Sequence, residues 1–186
     1  MSLSVVETEP AICDMEEQIN RHKPLGTPVY VSLGSNIDKE RNLRAGIAEI
    51  KRLYGDVFLS SVYESDPVGF VGDAFYNMVL LFHTEQPLAQ VANQLREIEF
   101  AHGRPKQAKK FSSRTLDLDI LLFGNTVCQT PIQLPREEIC FNAFVLWPLA
   151  EIAPELKHPT TQLTLQSMWQ VFDKSTQKLR KIPLNF

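Results

Sequence analysis

The order in which the chain alternates between strand-like and helix-like hydrophobic periods constrains its fold more than any other feature. VYVSL at 29–33 has strand composition and is closed by Gly34-Ser35-Asn36, a turn-and-cap cluster. Leu43, Ile47, Ile50 and Tyr54 then recur at spacings of four, three and four, a single helical stripe that Gly55 ends. Two β-rich segments follow, VFLSSVY (57–63) and FYNMVLLFHT (75–84), joined by the Asp-, Pro- and Gly-rich ESDPVGFVGDA. That connection is long for a hairpin, which suggests a role besides connecting. Pro87 opens a second stripe of Leu88, Val91, Ala92, Leu95 and Ile98, with Gly103 as its terminator. A basic loop, 104–114, leads into RTLDLDILLFG. The resulting β-α-β-β-α-β order is the split βαβ arrangement, so the chain is expected to be α+β, an antiparallel sheet with helices packed on it.

One domain is expected over residues 28–186, because 186 residues with 44% hydrophobic content support one substantial core. Residues 1–27 hold Glu7, Glu9, Asp14, Glu16 and Glu17 ahead of Arg21-His22-Lys23-Pro24 and little that builds a core, so they read as an N-terminal extension. Beyond the sixth element, NAFVLWPLAEIAP (142–154) suggests a short helix bent or stopped by Pro148 and Pro154. Leu163, Leu165, Met168, Trp169 and Phe172 suggest a capping helix, and KLRKIPL a last edge strand. A formal charge of -3 excludes a generally cationic surface and leaves polyanion affinity to local patches. Cys13, Cys128 and Cys140 fit neither a disulfide framework nor a zinc spacing, which suggests a reducing compartment. With no run near the roughly 20 apolar residues a membrane span needs, a cytoplasmic location is expected.

In LDLDILLF, Asp117 and Asp119 are two residues apart, so on a strand both side chains point to one face, roughly 6 to 7 Å apart. Leu116, Leu118, Ile120 and Leu122 are then expected on the other face, with Leu121 and Phe123 beside the aspartates. Two like charges on an otherwise apolar face belong at a rim, with something positive nearby. Paired carboxylates suit Mg²⁺, which completes its shell with water and phosphate; two solvated edge-strand aspartates are the equal alternative for such a short string. The neighbours favour the metal. Arg104, Lys106, Lys109, Lys110 and Arg114 place five cations in 11 residues with no acid among them, directly before the pair. Cations beside metal-binding carboxylates make a polyphosphate site, and phosphoryl-type transfer asks for little beyond positioning and charge stabilisation. Phe111 within that loop could stack on a base or pin the loop. Glu99 lies beside the buried stripe of the second helix, where it could orient an arginine or a metal-bound water, or sit at the surface. No Walker A string, dinucleotide fingerprint or catalytic triad is present, and His22, His83, His102 and His158 have no ligand spacing.

These residues resemble the 6-hydroxymethyl-7,8-dihydropterin pyrophosphokinase family of folate biosynthesis. RTLDLDILLFG carries the resemblance, supported by VSLGSN, YNMV, the string from Glu99 to Arg104, and FVLWPLAEIAPEL, together spanning about 28–157. The resemblance implies a ferredoxin-like α+β fold and Mg-dependent transfer of pyrophosphate from ATP to the pterin alcohol, with release of AMP. It makes Asp117 and Asp119 the ligands of two Mg²⁺ ions and, with Arg104 and Arg114, the catalytic set. ATP would be held by Glu99, Arg104, Lys106, Phe111, Arg114, Ile120 and Arg136. The pterin would meet Ser65, Asp66 and Val68, stack between Phe75 and Phe144, and present its edge to Asn77; without the resemblance both phenylalanines read as ordinary core.

The chain departs from the family pattern at several positions. Arg136 and Glu137 stand where a His is usual, Asn142 where an Arg is usual, Phe111 where Trp is common, and Gln107 where a cation is common. These bear on ATP affinity and substrate identity. The implied partners are ATP and a reduced pterin, with no nucleic acid, no membrane and a monomeric state. A diverged paralogue acting on a related pterin is one alternative, and a non-catalytic nucleotide or nucleic-acid binder another. Against the binder, the sheet segments lack paired aromatics of the RNA-recognition type, and a polyanion site has no need of Asp117 and Asp119.

Overall fold

The protein is seen in a computed structural model, which describes residues 26–69, 71–103, 113–184 and 186. Strands β1 (Thr27–Ser35), β2 (Phe58–Leu59), β3 (Val62–Ser65), β4 (Phe75–Thr84), β5 (Asp117–Phe123) and β6 (Leu179–Ile182) form one sheet. Its order is β5-β1-β4-β3-β6, with β2 also on β4, and every pairing is antiparallel. The split βαβ order read from the hydrophobic periods is therefore the observed one. β1 starts at Thr27, paired with Thr84, so the sheet takes up the last residue assigned to the extension; residues 1–25 lie outside the described residues.

Helices α1 (Lys39–Tyr54) and α2 (Leu88–Ala101) cover one face of the sheet. Leu43, Ile47 and Ile50 of α1 and Val91, Leu95 and Ile98 of α2 are buried against Val29, Val31, Leu33, Met78, Leu80 and Phe82. Each such side chain contributes about 1.5–3 kcal/mol through burial. Gly46 lets α1 come close: a Cβ there would lie 2.9 Å from Leu116 Cδ2, immediately before Asp117. The opposite face is covered only in part, by α3 (Glu138–Phe141), α4 (Ala143–Ile152) and α5 (Leu165–Val171). Here Val145, Leu146, Leu149, Leu165 and Met168 bury Tyr30, Val79, Leu121 and Leu122. Pro148 lies inside α4, and the helix ends at Ile152, two residues before Pro154.

Two strands differ from expectation for local reasons. VFLSSVY is split into β2 and β3 because Ser60 both donates its N–H to Val79 O and accepts Val79 N–H on Oγ, each at 2.9 Å. A side-chain oxygen thus takes the place of a ladder carbonyl. In β5 a bulge interrupts the pairing with β1: Phe123, Leu122 and Ile120 face Val29, Tyr30 and Val31, leaving Leu121 as an extra residue. Leu122 therefore joins Leu121 on the aspartate face and Phe123 packs on the α1/α2 side, the reverse of simple alternation.

Candidate active site

The uncovered part of the α3/α4 face is a cavity of about 240 Å³, floored by three neighbouring strands. Asp117 on β5 pairs with Gly34 on β1, which pairs with Asn77 on β4. The row therefore reads carboxylate, gap, amide. A Cβ on Gly34 would lie 3.5 Å from Asn77 Oδ1 and 3.9 Å from both Asp117 Cβ and Phe75 Cδ1. The missing side chain is the space between the two polar groups. Asp119 lies one step along, opposite Ser32, so both aspartates open onto the same cavity, as the two-residue spacing requires.

Cations meet these carboxylates from two directions. Arg114 Nε is 3.7 Å from Asp117 Oδ1. Its backbone is clamped by Asn36, whose N–H donates to Arg114 O at 3.0 Å and whose Oδ1 accepts Arg114 N–H at 2.7 Å. Asn36 Nδ2 also donates to Asp73 O and Ser113 Oγ, both at 3.2 Å, tying the ends of two loops to β1. Arg136 comes from the far side of β5: its N–H donates to the carbonyl of the bulged Leu121 at 3.0 Å, and its Nη2 donates to Asp119 Oδ1 at 2.5 Å. Its Nε is 3.6 Å from Glu138 Oε2.

The aromatic and amide groups assigned to the pterin also line this cavity: Ser65, Asp66, Val68, Phe75, Asn77 and Phe144. Asn77 is oriented by donating from Nδ2 to Ser65 Oγ at 2.9 Å and toward Tyr63 O at 3.5 Å. That leaves Oδ1 on the side of the Gly34 gap. The helix bearing Phe144 is fastened to the sheet by Glu151, which accepts Ser61 N–H (2.9 Å), Ser61 Oγ–H (2.7 Å), Tyr63 O–H and Lys181 N–H (both 3.1 Å). Burial pushes the Glu151 carboxyl up, but the bonds from Ser61, Lys181 and Tyr63 outweigh it and hold it below the usual glutamate range.

Two assignments take a different form. Glu99 is 4% exposed, and its Oε1 accepts Leu118 N–H at 2.9 Å. It is a buried prop beneath β5, bonded to the residue between the two aspartates, and not a surface glutamate. Ile120 is 4% exposed, and its side chain packs within the α1/α2 core on the face of β5 away from the cavity. Arg104, Lys106 and Phe111, with Gln107, lie outside the described residues. Sequence reasoning missed Asn36, which it read only as part of a turn, and the gap at Gly34. It also missed Glu138, which lines the cavity beside Arg136 and has no local signal.

This arrangement has known relatives. The family model described as 7,8-dihydro-6-hydroxymethylpterin-pyrophosphokinase (HPPK) matches residues 30–154. A 2-amino-4-hydroxy-6-hydroxymethyldihydropteridine pyrophosphokinase of Pseudomonas aeruginosa is 38% identical over 136 residues, 70% of this chain and 83% of the relative. One from Haemophilus influenzae is 34% identical over 155 residues, 81% of this chain and 96% of the relative. Among solved structures, an HPPK-DHPS in complex with substrates superposes with a TM-score of 0.63 at 15% identity, covering 81% of this chain and 44% of that one. A Plasmodium falciparum HPPK-DHPS gives 0.64 at 13% identity, covering 80% and 46%. The chain spans less than half the length of those solved chains, and at such identities they speak for the fold alone. The matched span begins within β1, runs past the end of α4 and contains the whole row from Asp117 through Gly34 to Asn77; covering more than half of the chain, it makes this chain a member of the 7,8-dihydro-6-hydroxymethylpterin-pyrophosphokinase family.

Proposed function

We propose that the protein transfers pyrophosphate from ATP to 6-hydroxymethyl-7,8-dihydropterin, giving AMP and the pterin pyrophosphate. The observation that carries this reading is the row Asp117, Gly34, Asn77, which puts a carboxylate and a carboxamide on either side of one gap. A flat pterin entering between Phe75 and Phe144 presents its polar edge to Asn77 and its hydroxymethyl group toward the aspartates. Its hydroxyl oxygen bonds to the β-phosphorus of ATP while the bond from that phosphorus to the α–β bridging oxygen breaks. AMP leaves, and the hydroxyl proton passes to solvent.

Asp117 and Asp119 fit Mg²⁺, since two partly exposed carboxylates on one strand face offer hard oxygen donors and leave room for water and phosphate. When bound there, Mg²⁺ supplies charge neutralisation at the phosphates. Arg114, fixed by Asn36, supplies further positive charge to the transferring group. Arg104, Lys106 and Phe111 are proposed to act on ATP, with Arg136 at its rim. Glu99 serves by holding β5 in place.

A second reading, transfer to a related pterin, is favoured by Asn142 and Arg136, which both line the cavity and depart from the family pattern. Purified protein given Mg-ATP and 6-hydroxymethyl-7,8-dihydropterin should release AMP in step with pterin pyrophosphate. Absence of AMP with this pterin but release with another would select the second reading. Release with none would defeat both.

A further inference from the structure

We propose that Gln177, in the C-terminal segment beyond the family match at 30–154, is a positioning residue for the pterin pocket that fixes Phe144 through the backbone on either side of Asn142. The inference rests on the reading above that Phe144 stacks on the pterin. Its primary observation is a two-bond clamp: Gln177 Nε2 donates to Phe141 O at 2.7 Å, and Gln177 Oε1 accepts Ala143 N–H at 2.9 Å. Phe141 ends α3 and Ala143 begins α4, so the amide satisfies one end group of each helix.

The single residue between those helices, Asn142, is extended, with φ -111 and ψ 114. Those two angles set the direction in which α4 leaves, and Phe144 is its second residue. A side chain bonded on both sides of Asn142 therefore holds the angle at which Phe144 enters the cavity. There is space for Phe144 to move otherwise: a second cavity of about 160 Å³ lies between Phe144, the 65–68 segment and residues 176–179.

Gln177 is itself presented by a hydrogen-bonded turn. Asp173 Oδ1 accepts Ser175 N–H at 3.0 Å and Ser175 Oγ–H at 2.6 Å, and Thr176 Oγ1 donates to Asp173 O at 3.0 Å. Two residues after the clamp, Leu179 pairs with Ser65, the residue whose hydroxyl orients Asn77. One segment thus holds both walls of the pocket, the amide side through Ser65 and the aromatic side through Gln177.

The test titrates 6-hydroxymethyl-7,8-dihydropterin, in the presence of a non-hydrolysable ATP analogue, into the full chain and the variants Q177A, F144A and Q177A/F144A, with analogue binding measured separately. Q177A should weaken pterin binding about tenfold, as for a loss near 1.4 kcal/mol, and leave analogue binding unchanged. In the F144A background the same change should have no further effect, a non-additivity that a general loss of stability would not produce. Q177E, which keeps the acceptor for Ala143 N–H but sets an oxygen against Phe141 O, provides the test if Q177A fails to fold and should also weaken pterin binding selectively. If F144A weakens pterin binding while the Gln177 variants bind as the parent does, or weaken it equally in both backgrounds, the positioning role is overturned. If F144A itself leaves pterin binding unchanged, the stacking reading falls first.

Discussion

Arg136 Nη2 lies 2.5 Å from Asp119 Oδ1, so a carboxylate assigned to Mg²⁺ is engaged by a guanidinium. Glu138 Oε2, 3.6 Å from Arg136 Nε, offers that guanidinium a second partner. Metal and arginine then compete for Asp119. R136A should bind Mn²⁺ more tightly than the parent without nucleotide, by about two- to fivefold, the range of a partly exposed ion pair. Mn²⁺ electron paramagnetic resonance reads the change directly. Weaker Mn²⁺ binding in R136A would mean that the arginine organises the site and does not compete for it.

Asp117 and Asp119 are partly exposed at the cavity rim, so their loss should remove chemistry and spare the fold. The double variant D117A/D119A should release no AMP above background and retain the parent's circular dichroism. Chelation of Mg²⁺ should stop the parent enzyme reversibly. Substantial turnover by the double variant would remove the metal assignment.

At Gly34 the expected outcome depends on size. A Cβ there meets ordinary contact distances, 3.5 Å at the nearest, so G34A should fold and retain pterin binding within a few fold. G34L fills the gap between Asp117 and Asn77, so it should fold yet lose pterin binding by calorimetry. Equal binding by both variants would place the pterin elsewhere.

Asn36 is 4% exposed and bonds to the backbone of Arg114 through both its main chain and its side chain. N36A leaves the Arg114 N–H without its acceptor and frees the loop ends at Asp73 and Ser113. The expected cost is about 1–3 kcal/mol in denaturant unfolding. A fall in kcat larger than any rise in the KM for ATP should accompany it, because Arg114 is proposed to act on the transferring group.

Stability should also fall below neutral pH. His158 is 3% exposed, and burial lowers its pKa from the ordinary value of 6.5. Below that value the unfolded chain binds a proton that the folded chain refuses, so the folded state loses ground from about pH 6.5 down to the depressed value, and the loss is complete beneath it. Melting temperatures from pH 8 to 5.5 should show this decline, and H158Q should flatten it. His83, lowered by burial in the same sense, would account for any slope that remains.

Much of this architecture was legible because its signals are local. The stripe from Leu43 to Tyr54 and the run from Phe75 to Thr84 became elements with nearly the expected limits, and the two-residue spacing put both aspartates on one face. The tail helix and edge strand also formed where apolar residues gathered. What escaped depends on contacts between distant segments. Four consecutive apolar residues, Ile120 to Phe123, hold no trace of the phase change that the bulge imposes. Glu99, at the margin of a helical stripe, is buried only because β5 crosses above it and offers Leu118 N–H. The links from Arg136 to Asp119 and from Gln177 to Phe141 join residues that no periodicity relates.

The extra residue at Leu121 makes β5 one residue longer than the stretch of β1 that it follows, and this mismatch in length leaves a main-chain oxygen available to tether Arg136. A chain shortened by Leu121 would have an even ladder and the same two aspartates, but no anchor for the guanidinium beside them. The balance of charge at the mouth of the cavity is thus encoded by a difference in strand length, which a comparison of side chains alone would pass over.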